Sequence, residues 1–162
     1  MEKHPYLTEL INEIKQGKRI VLFPPGMMIF IAFIMLMIAN TVLFFGSSLS
    51  IFLPDAETPV KATSQLASLL VLFVFVILPA LMVLSGKKHF SIISFYYALA
   101  LTVLSAIILL LGFTQVVSLF NTTLPLLACI AISITCLYIY NSASYRLLKE
   151  FYYLLKNPEA NT

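Results

Sequence analysis

Three long stretches of this chain carry no Asp, Glu, Lys, Arg or His, and they constrain its fold more than any other feature. They run from Ile20 to Pro54, from Ala62 to Gly86 and from Phe90 to Tyr145. A helix that crosses the hydrocarbon core of a bilayer needs about 20 apolar residues. The stretches therefore have room for one, one and two such helices, and they predict an all-α, polytopic membrane protein with four transmembrane helices.

The composition agrees with this fold class and excludes others. Of the 162 residues, 60% are hydrophobic and only 10% are charged, whereas ordinary soluble domains carry about 25% charged residues. A soluble globule of this size could not hide the excess, because much of any folded surface must face water. We therefore expect membrane lipids as partners and no nucleic acid, and we exclude soluble enzymes.

Proline and glycine residues place the ends of the predicted spans. Pro24-Pro25-Gly26 separates an N-terminal segment, residues 1–24, from a transmembrane domain of residues 25–145. Gly46 is the predicted stop of the first span, and Pro79 is expected to kink the second. We place the four spans at about 25–45, 65–85, 91–113 and 123–145.

The N-terminal segment has the apolar spacing of an amphipathic helix. Pro5 suits the first helical position and Gly17 the stop. One face collects Tyr6, Leu7, Leu10, Ile11 and Ile14. Such a helix either lies in the headgroup region of the membrane or docks against a partner, and the pattern allows both.

Helical apolar spacing also continues beyond the fourth span into the C-terminal segment, residues 146–162, and it ends at Pro158. One continuous helix from residue 123 to 157 would be about 52 Å long, but the bilayer core is only about 30 Å thick. The helix therefore either projects into the cytoplasm or bends around Asn141–Ser144 and lies along the surface. The absence of Gly and Pro from this region favours projection.

The distribution of basic residues predicts the orientation. Cytoplasmic flanks of membrane proteins carry an excess of Lys and Arg. Only Lys61 lies in a loop on the opposite side, and the other nine lie on the side of the two termini and the turn between spans two and three: Lys3, Lys15, Lys18, Arg19, Lys87, Lys88, Arg146, Lys149 and Lys156. Both termini are thus predicted to be cytoplasmic, and we expect the bacterial inner (plasma) membrane.

The predicted spans contain no Asp, Glu, Lys, Arg or His that could do acid–base work, hold a metal or form a Schiff base. Intramembrane enzymes and proton-coupled transporters reveal themselves by such groups, because holding a charge in the bilayer is costly. The nearest candidate is His89 with Ser91 or Ser94, but no acid is placed to orient the imidazole. We therefore predict a protein that is not an enzyme and binds no cofactor or metal.

Small residues recur at helical spacing on spans three and four, where they let backbones approach closely. This predicted helix-packing or oligomer face consists of Ala98, Thr102, Ala106, Cys129, Ser133 and Cys136. Packing within one chain is the simpler interpretation, but a homo-oligomer is also expected because four spans enclose little interior. Asn40 is the one amide deep in a span, where it either joins helices or lines a pore.

We expect a non-catalytic membrane subunit that anchors or senses at the membrane and recruits a cytoplasmic protein partner. Bacterial envelope-stress, toxin-immunity and anti-phage defence systems include components with this layout. The residues expected to contact the partner or lipid are Lys18, Arg19, Lys87, Lys88, Arg146, Lys149, Phe151 and Leu155. The alternative is a small homo-oligomeric channel or transporter, gated by hydrophobic constrictions.

Overall fold

The structure is a computed structural model that describes residues 5–18, 20–52, 58–112 and 119–157. All regular structure in these ranges is helical. In chain order the elements are α1 (Pro5–Lys15), α2 (Met27–Phe52), α3 (Thr58–Leu72), a π-helical segment (Phe73–Ile77), α4 (Leu78–Leu84), a 3₁₀ turn (Lys88–Phe90), α5 (Ser91–Gly112), α6 (Leu119–Asn141) and α7 (Ala143–Lys156).

Within the described ranges, four helical stretches are long and apolar enough to cross a membrane, as the charge-free runs predict. They are Met27–Phe52, Thr58–Leu84, Lys88–Leu111 and Thr123–Asn141. The first span does not stop at Gly46, because one glycine inside a helix costs only about 1 kcal/mol. The hydroxyl groups of Ser47 and Ser50 donate to carbonyl oxygens one turn earlier and support the extension.

The spans pack around α6, which lies between α2 and α5 and contacts these two helices most extensively. Mostly aromatic, aliphatic and small side chains fill the space between the helices, namely Phe30, Phe33, Met37, Phe44, Val76, Val83, Tyr97, Ala98, Leu101, Ile108, Leu126, Cys129 and Cys136. Large apolar side chains on the outside of every span stay exposed, for example Met35, Leu66, Leu110 and Ile134. Such an outer surface suits lipid, which is as apolar as these side chains.

Two polar pairs join the spans inside this apolar core. Asn40 Nδ2 donates to Ser133 Oγ at 2.6 Å and joins α2 to α6. The hydroxyl groups of Thr41 and Tyr97 lie 2.9 Å apart and join α2 to α5. All four residues are buried. Asn40 thus joins two helices of the same chain, one of the two roles its sequence position allows.

The second span changes its helical form ahead of Pro79. The five residues Phe73–Ile77 form a π-helical segment between α3 and α4. Because proline has no N–H, the carbonyl group of Phe75, four residues earlier, loses its α-helical donor. Ser94 of α5 replaces that donor, with its Oγ 3.0 Å from the Phe75 oxygen. A carbonyl group within the second span thereby gains a donor from a neighbouring span.

The chain bends between α6 and α7 instead of projecting as one helix, so the argument from absent Gly and Pro is wrong. Ser142 adopts an extended backbone, and its side chain accepts a hydrogen bond from the Tyr145 N–H at 3.2 Å. At the C-terminal end of α6, Arg146 Nη2 donates a hydrogen bond to the Asn141 carbonyl at 2.9 Å. The bend thus contains no Gly or Pro, and α7 begins with Ser142 as its N-cap.

Candidate functional site at the basic end of the bundle

Helix α7 lies across the end of the bundle that also carries α1 and the 3₁₀ turn. It contacts α1, α2, α4, α6 and that turn. We call this the basic end, because most of the basic residues in the described ranges lie there: Lys15, Lys18, Lys87, Lys88, Arg146, Lys149 and Lys156. Lys61, near the start of α3, lies at the opposite end.

Two glycines let the α7 backbone approach the spans closely. Gly26 precedes α2 and Gly86 follows α4, and both have a positive φ. A Cβ on Gly26 would collide with the carbonyl oxygen of Ser144. A Cβ on Gly86 would lie 2.8 Å from that of Lys156 and 3.1 Å from the carbonyl oxygen of Tyr152. The two contacts hold α7 near both of its ends.

One face of α7 completes the core of the bundle. Tyr145 and Leu148 are buried there. The Tyr145 ring lies 5.9 Å from that of Phe30 and 5.2 Å from that of Phe33, both on α2. Burial raises the pKa of Tyr145 well above its ordinary value, and the nearby Tyr140 adds to the shift. The start of α7 is therefore an integral part of the fold.

A second apolar cluster joins α7 to α1. Leu7, Leu10 and Ile11 of α1 are buried against Phe151 of α7. Leu155 packs partly buried against the same cluster. We call α1 and α7 together the helical cap. The apolar face of α1 therefore docks on the C-terminal helix of its own chain, which neither interpretation of the sequence anticipated.

Phe151, which the sequence predicts to contact a partner or lipid, is buried in this packing. Its side chain is 2% exposed, so no other molecule reaches it while α1 stays docked. Leu155 is half-buried in the same cluster and offers only part of its surface. The apolar spacing that suggested a free binding face is explained by contacts within the chain.

Lys149 projects from α7 towards the start of α5. Its Nζ lies 3.5 Å from Ser91 Oγ, at the outer limit of a hydrogen bond. The same nitrogen lies 4.3 Å from the centre of the Tyr140 ring and 5.0 Å from that of Tyr145, within range of cation–π attraction. Burial, and then the positive charges of Arg146 and Lys88, lower the pKa of Lys149.

An open pocket of about 210 Å³ lies beside this lysine, at the junction of α5, α6, α7 and the 3₁₀ turn. Its lining consists of Lys88, His89, Ser91, Ile92, Tyr140 and Lys149. Lys88 is held by Tyr153 of α7, with its Nζ 4.0 Å from the ring centre. The pocket thus brings together two lysines, one histidine and two hydroxyl groups.

The hydroxyl groups near His89 are already engaged with the backbone. Ser91 Oγ donates to the Lys88 carbonyl at 2.9 Å, and it lies 3.3 Å from the Tyr140 hydroxyl. Ser94 donates to Phe75 of the second span. His89 itself is exposed. Neither serine makes a hydrogen bond to the His89 imidazole, the base that the sequence suggested for them.

The predicted helix-packing face is used within the chain. Ala98, Cys129, Ser133 and Cys136 are fully buried between the spans, and Thr102 and Ala106 are half-buried. Cys129 reaches the backbone oxygen of Asn40 at 3.8 Å. The four buried residues thus take the helix-packing role, and the predicted homo-oligomer stays a prediction.

The remaining predicted contact residues have different surroundings. Lys18, Lys87 and Arg146 are exposed at the basic end, and Arg19 lies outside the described residues. Sequence reasoning missed Gly26, Gly86 and Tyr140 as parts of the site, and it considered Ser91 only as a possible catalytic partner of His89. Pro24-Pro25-Gly26 indicated a turn, but no local pattern shows what packs against it.

The described residues contain no cluster of three or more His, Cys, Asp or Glu that could hold a metal ion. Comparison of the chain with family models, with curated proteins and with solved structures finds no match.

Proposed function

We propose that this chain is a non-catalytic integral membrane subunit that recruits a soluble protein to the helical cap. The observation that carries the proposal is the docking of α1 on α7 through Leu10, Ile11 and Phe151, which builds an ordered two-helix surface outside the spans. Four spans anchor this surface, and the contacts of α7 with Gly26 and Gly86 fix its position on the bundle.

The surface offered to the partner is polar, because the apolar faces of the two helices cover each other. On α1 the exposed residues include Glu9, Asn12 and Lys15, and at the end of α7 they include Lys156 and Asn157. Charged and polar groups at an interface steer encounter and select the partner. The proposed partner therefore presents a polar, mainly acidic surface to the cap.

The excess of Lys and Arg at the basic end supports a cytoplasmic location for the cap. A bacterial inner membrane protein with both termini inside has this arrangement, and we propose a role in a stress, immunity or anti-phage defence system. Cys129 and Cys136 are buried, so a thiol reagent should react mainly with a cysteine introduced at an exposed position. An impermeant maleimide should label Lys61→Cys in intact cells and Lys156→Cys only after lysis, and the reverse result would overturn the orientation.

Co-purification with the full-length chain tests recruitment. The double variant Lys15→Glu/Lys156→Glu reverses two exposed charges on the cap and should lower the yield of a specific soluble partner at least about tenfold. Lys61→Glu makes the same kind of change at the opposite end and should leave the yield unchanged. Equal losses from both variants would contradict a binding surface on the cap.

A small channel is the second candidate, favoured by polar atoms in the core. Asn40 Oδ1 and Ser105 Oγ are buried and have no hydrogen-bond partner, and both lie in spans. Polar groups of this kind can line a narrow water path. Purified protein in liposomes should then pass ions or small solutes, and Asn40→Leu should abolish the flux. Absence of flux would remove this candidate.

A further inference from the structure

The basic pocket between α5, α6 and α7 holds positive groups that lack counter-charges. Among the described residues, the contacts of Lys149 and Lys88 are to aromatic rings and to a serine hydroxyl, and no carboxylate is among them. The charges that act on Lys149 are those of Arg146 and Lys88, both positive. Neighbouring like charges repel one another, and a bound anion relieves the repulsion.

The side chains around Lys149 restrict the position of its ammonium group and so favour the binding of an anion. The rings of Tyr140 and Tyr145 flank its Nζ, and Tyr153 holds Lys88 in the same way. Ordered side chains lose less freedom on binding, which favours affinity. A pocket of about 210 Å³ is smaller than the roughly 300–1,000 Å³ of sites for drug-sized ligands. It suits a small charged group such as a phosphate.

The position of the pocket favours a phosphate that belongs to a lipid. Ser91 is the first residue of α5, and Tyr140 lies in the last turn of α6. Both therefore stand at the ends of membrane spans, where headgroups lie. Ile92 lines the pocket and is 48% exposed, and Tyr96, one turn further along α5, is 60% exposed. This exposed strip continues from the pocket towards the hydrocarbon core.

We propose that this pocket binds the phosphate group of an anionic phospholipid, with Lys88, His89 and Lys149 around the phosphate and the lipid chains along Ile92 and Tyr96. The site goes beyond partner recruitment and does not depend on it. Basic pockets between spans are known places for anionic headgroups in membrane proteins.

Native mass spectrometry of the full-length chain, released from phosphatidylcholine nanodiscs doped with phosphatidylglycerol, tests the site. We expect one retained phosphatidylglycerol per chain. Lys149→Gln and Lys88→Gln should each lower this retention at least about tenfold, because each removes a charged contact to phosphate. Lys87→Gln is the matched control: Lys87 is exposed in the same turn but does not line the pocket, so retention should not change.

Further measurements distinguish a bound lipid from misfolding of a variant and from binding of free phosphate. Lys149→Arg keeps the charge and should keep the lipid, which distinguishes a lost contact from misfolding. Inorganic phosphate, added to the chain in pure phosphatidylcholine, should neither stabilise the chain nor compete with phosphatidylglycerol. Stabilisation by inorganic phosphate alone would assign the pocket to a soluble phosphate and overturn the lipid assignment. Equal loss from Lys87→Gln, or no loss from any variant, would overturn the site itself.

Discussion

The backbone carbonyl of Ser144 in α7 lies directly against the α-carbon of Gly26, where any side chain would collide with it. This contact joins the start of the first span to the helix that follows the last one. Gly86 makes the corresponding contact with the far end of α7, at Tyr152 and Lys156. The orientation of the helical cap therefore depends on two positions that carry no functional group.

Alanine at either glycine should release α7 from the bundle. Both residues have a positive φ, which costs a residue with a Cβ roughly 1–2 kcal/mol, and the new Cβ would collide with α7 as well. We expect Gly26→Ala and Gly86→Ala each to destabilise the docked cap by about 1–3 kcal/mol. Hydrogen exchange along α7 measures the loss of protection.

Gly46→Ala is the matched control for both variants. Gly46 lies inside α2, and a Cβ there would meet open space. Alanine at a helical position of this kind is favourable by about 0.5–1 kcal/mol. Hydrogen exchange in α7 should therefore be unchanged. The close approach would be contradicted if α7 were as well protected from hydrogen exchange in Gly26→Ala and Gly86→Ala as in Gly46→Ala.

Phe151→Ala should free α1 from the cap. The Phe151 ring is the α7 side of the cluster that buries Leu7, Leu10 and Ile11, and removal of a buried Phe costs about 3–5 kcal/mol. Exchange in α1 should rise to that of an isolated short helix, while the spans stay protected. Glu9→Ala, on the exposed side of α1, should leave exchange unchanged. Unaltered protection of α1 in Phe151→Ala would show that α1 is held elsewhere.

The spans and the two helices of the cap were predictable from the sequence, whereas the docking of α1 on α7 was not. Charge-free runs of sufficient length have few alternatives, because the bilayer requires both apolar side chains and internally paired backbone groups. The bend at Ser142 has only a weak local signal, since serine also occurs inside helices. The direction of α7 depends on its contact with Gly26, a residue more than a hundred positions away, which no local pattern contains.

The hydrogen bond between Ser94 and the Phe75 carbonyl should stabilise the bundle because of Pro79. Ser94→Ala leaves that carbonyl without its side-chain donor and should cost about 1–2 kcal/mol. Pro79→Ala restores a backbone N–H four residues after Phe75, so the same serine change should cost less in that background. Thermal unfolding of the four proteins in detergent gives the double-mutant cycle. Equal costs in both backgrounds would contradict the link to proline.

Retention of anionic lipid should fall as the pH becomes alkaline, and the decrease should occur at a lower pH than the ordinary pKa of lysine would give. The pKa of Lys149 is lowered by burial and then by Arg146 and Lys88, from an ordinary value of about 10.4. A phosphate binds the charged form, so retention is full below the lowered pKa and is lost as pH rises through it. The other titratable groups around Lys149 are His89, which lines the same pocket, and Tyr140 and Tyr145, whose rings flank the nitrogen.

Lys149→Arg should remove most of this alkaline decrease, because a guanidinium group stays charged above pH 12 or so. Lipid retention across a pH series, measured for both proteins, makes the comparison. A decrease of the same size and midpoint in both would show that another group controls it.

Lys88 and Lys149 were predicted from the sequence as contact residues, but the pocket that they line was not predicted. Ser91 and Tyr140 contribute hydroxyl groups 3.3 Å apart, and they belong to different spans. Their meeting depends on how α5 packs on α6, and it becomes visible only with the helices in place. The burial of Phe151 against α1 was not predictable for the same reason, since helical apolar spacing does not tell whether the covering surface belongs to the same chain.

Site-specific photo-crosslinking in native membranes tests partner recruitment most directly. A photoreactive residue at Lys15 or Lys156 should give a discrete adduct with one soluble protein, because both positions are exposed on the helical cap. The same residue at Lys61, exposed at the opposite end, should give none. No adduct from either cap position, or the same adduct from Lys61, would contradict a cap that recruits a soluble partner.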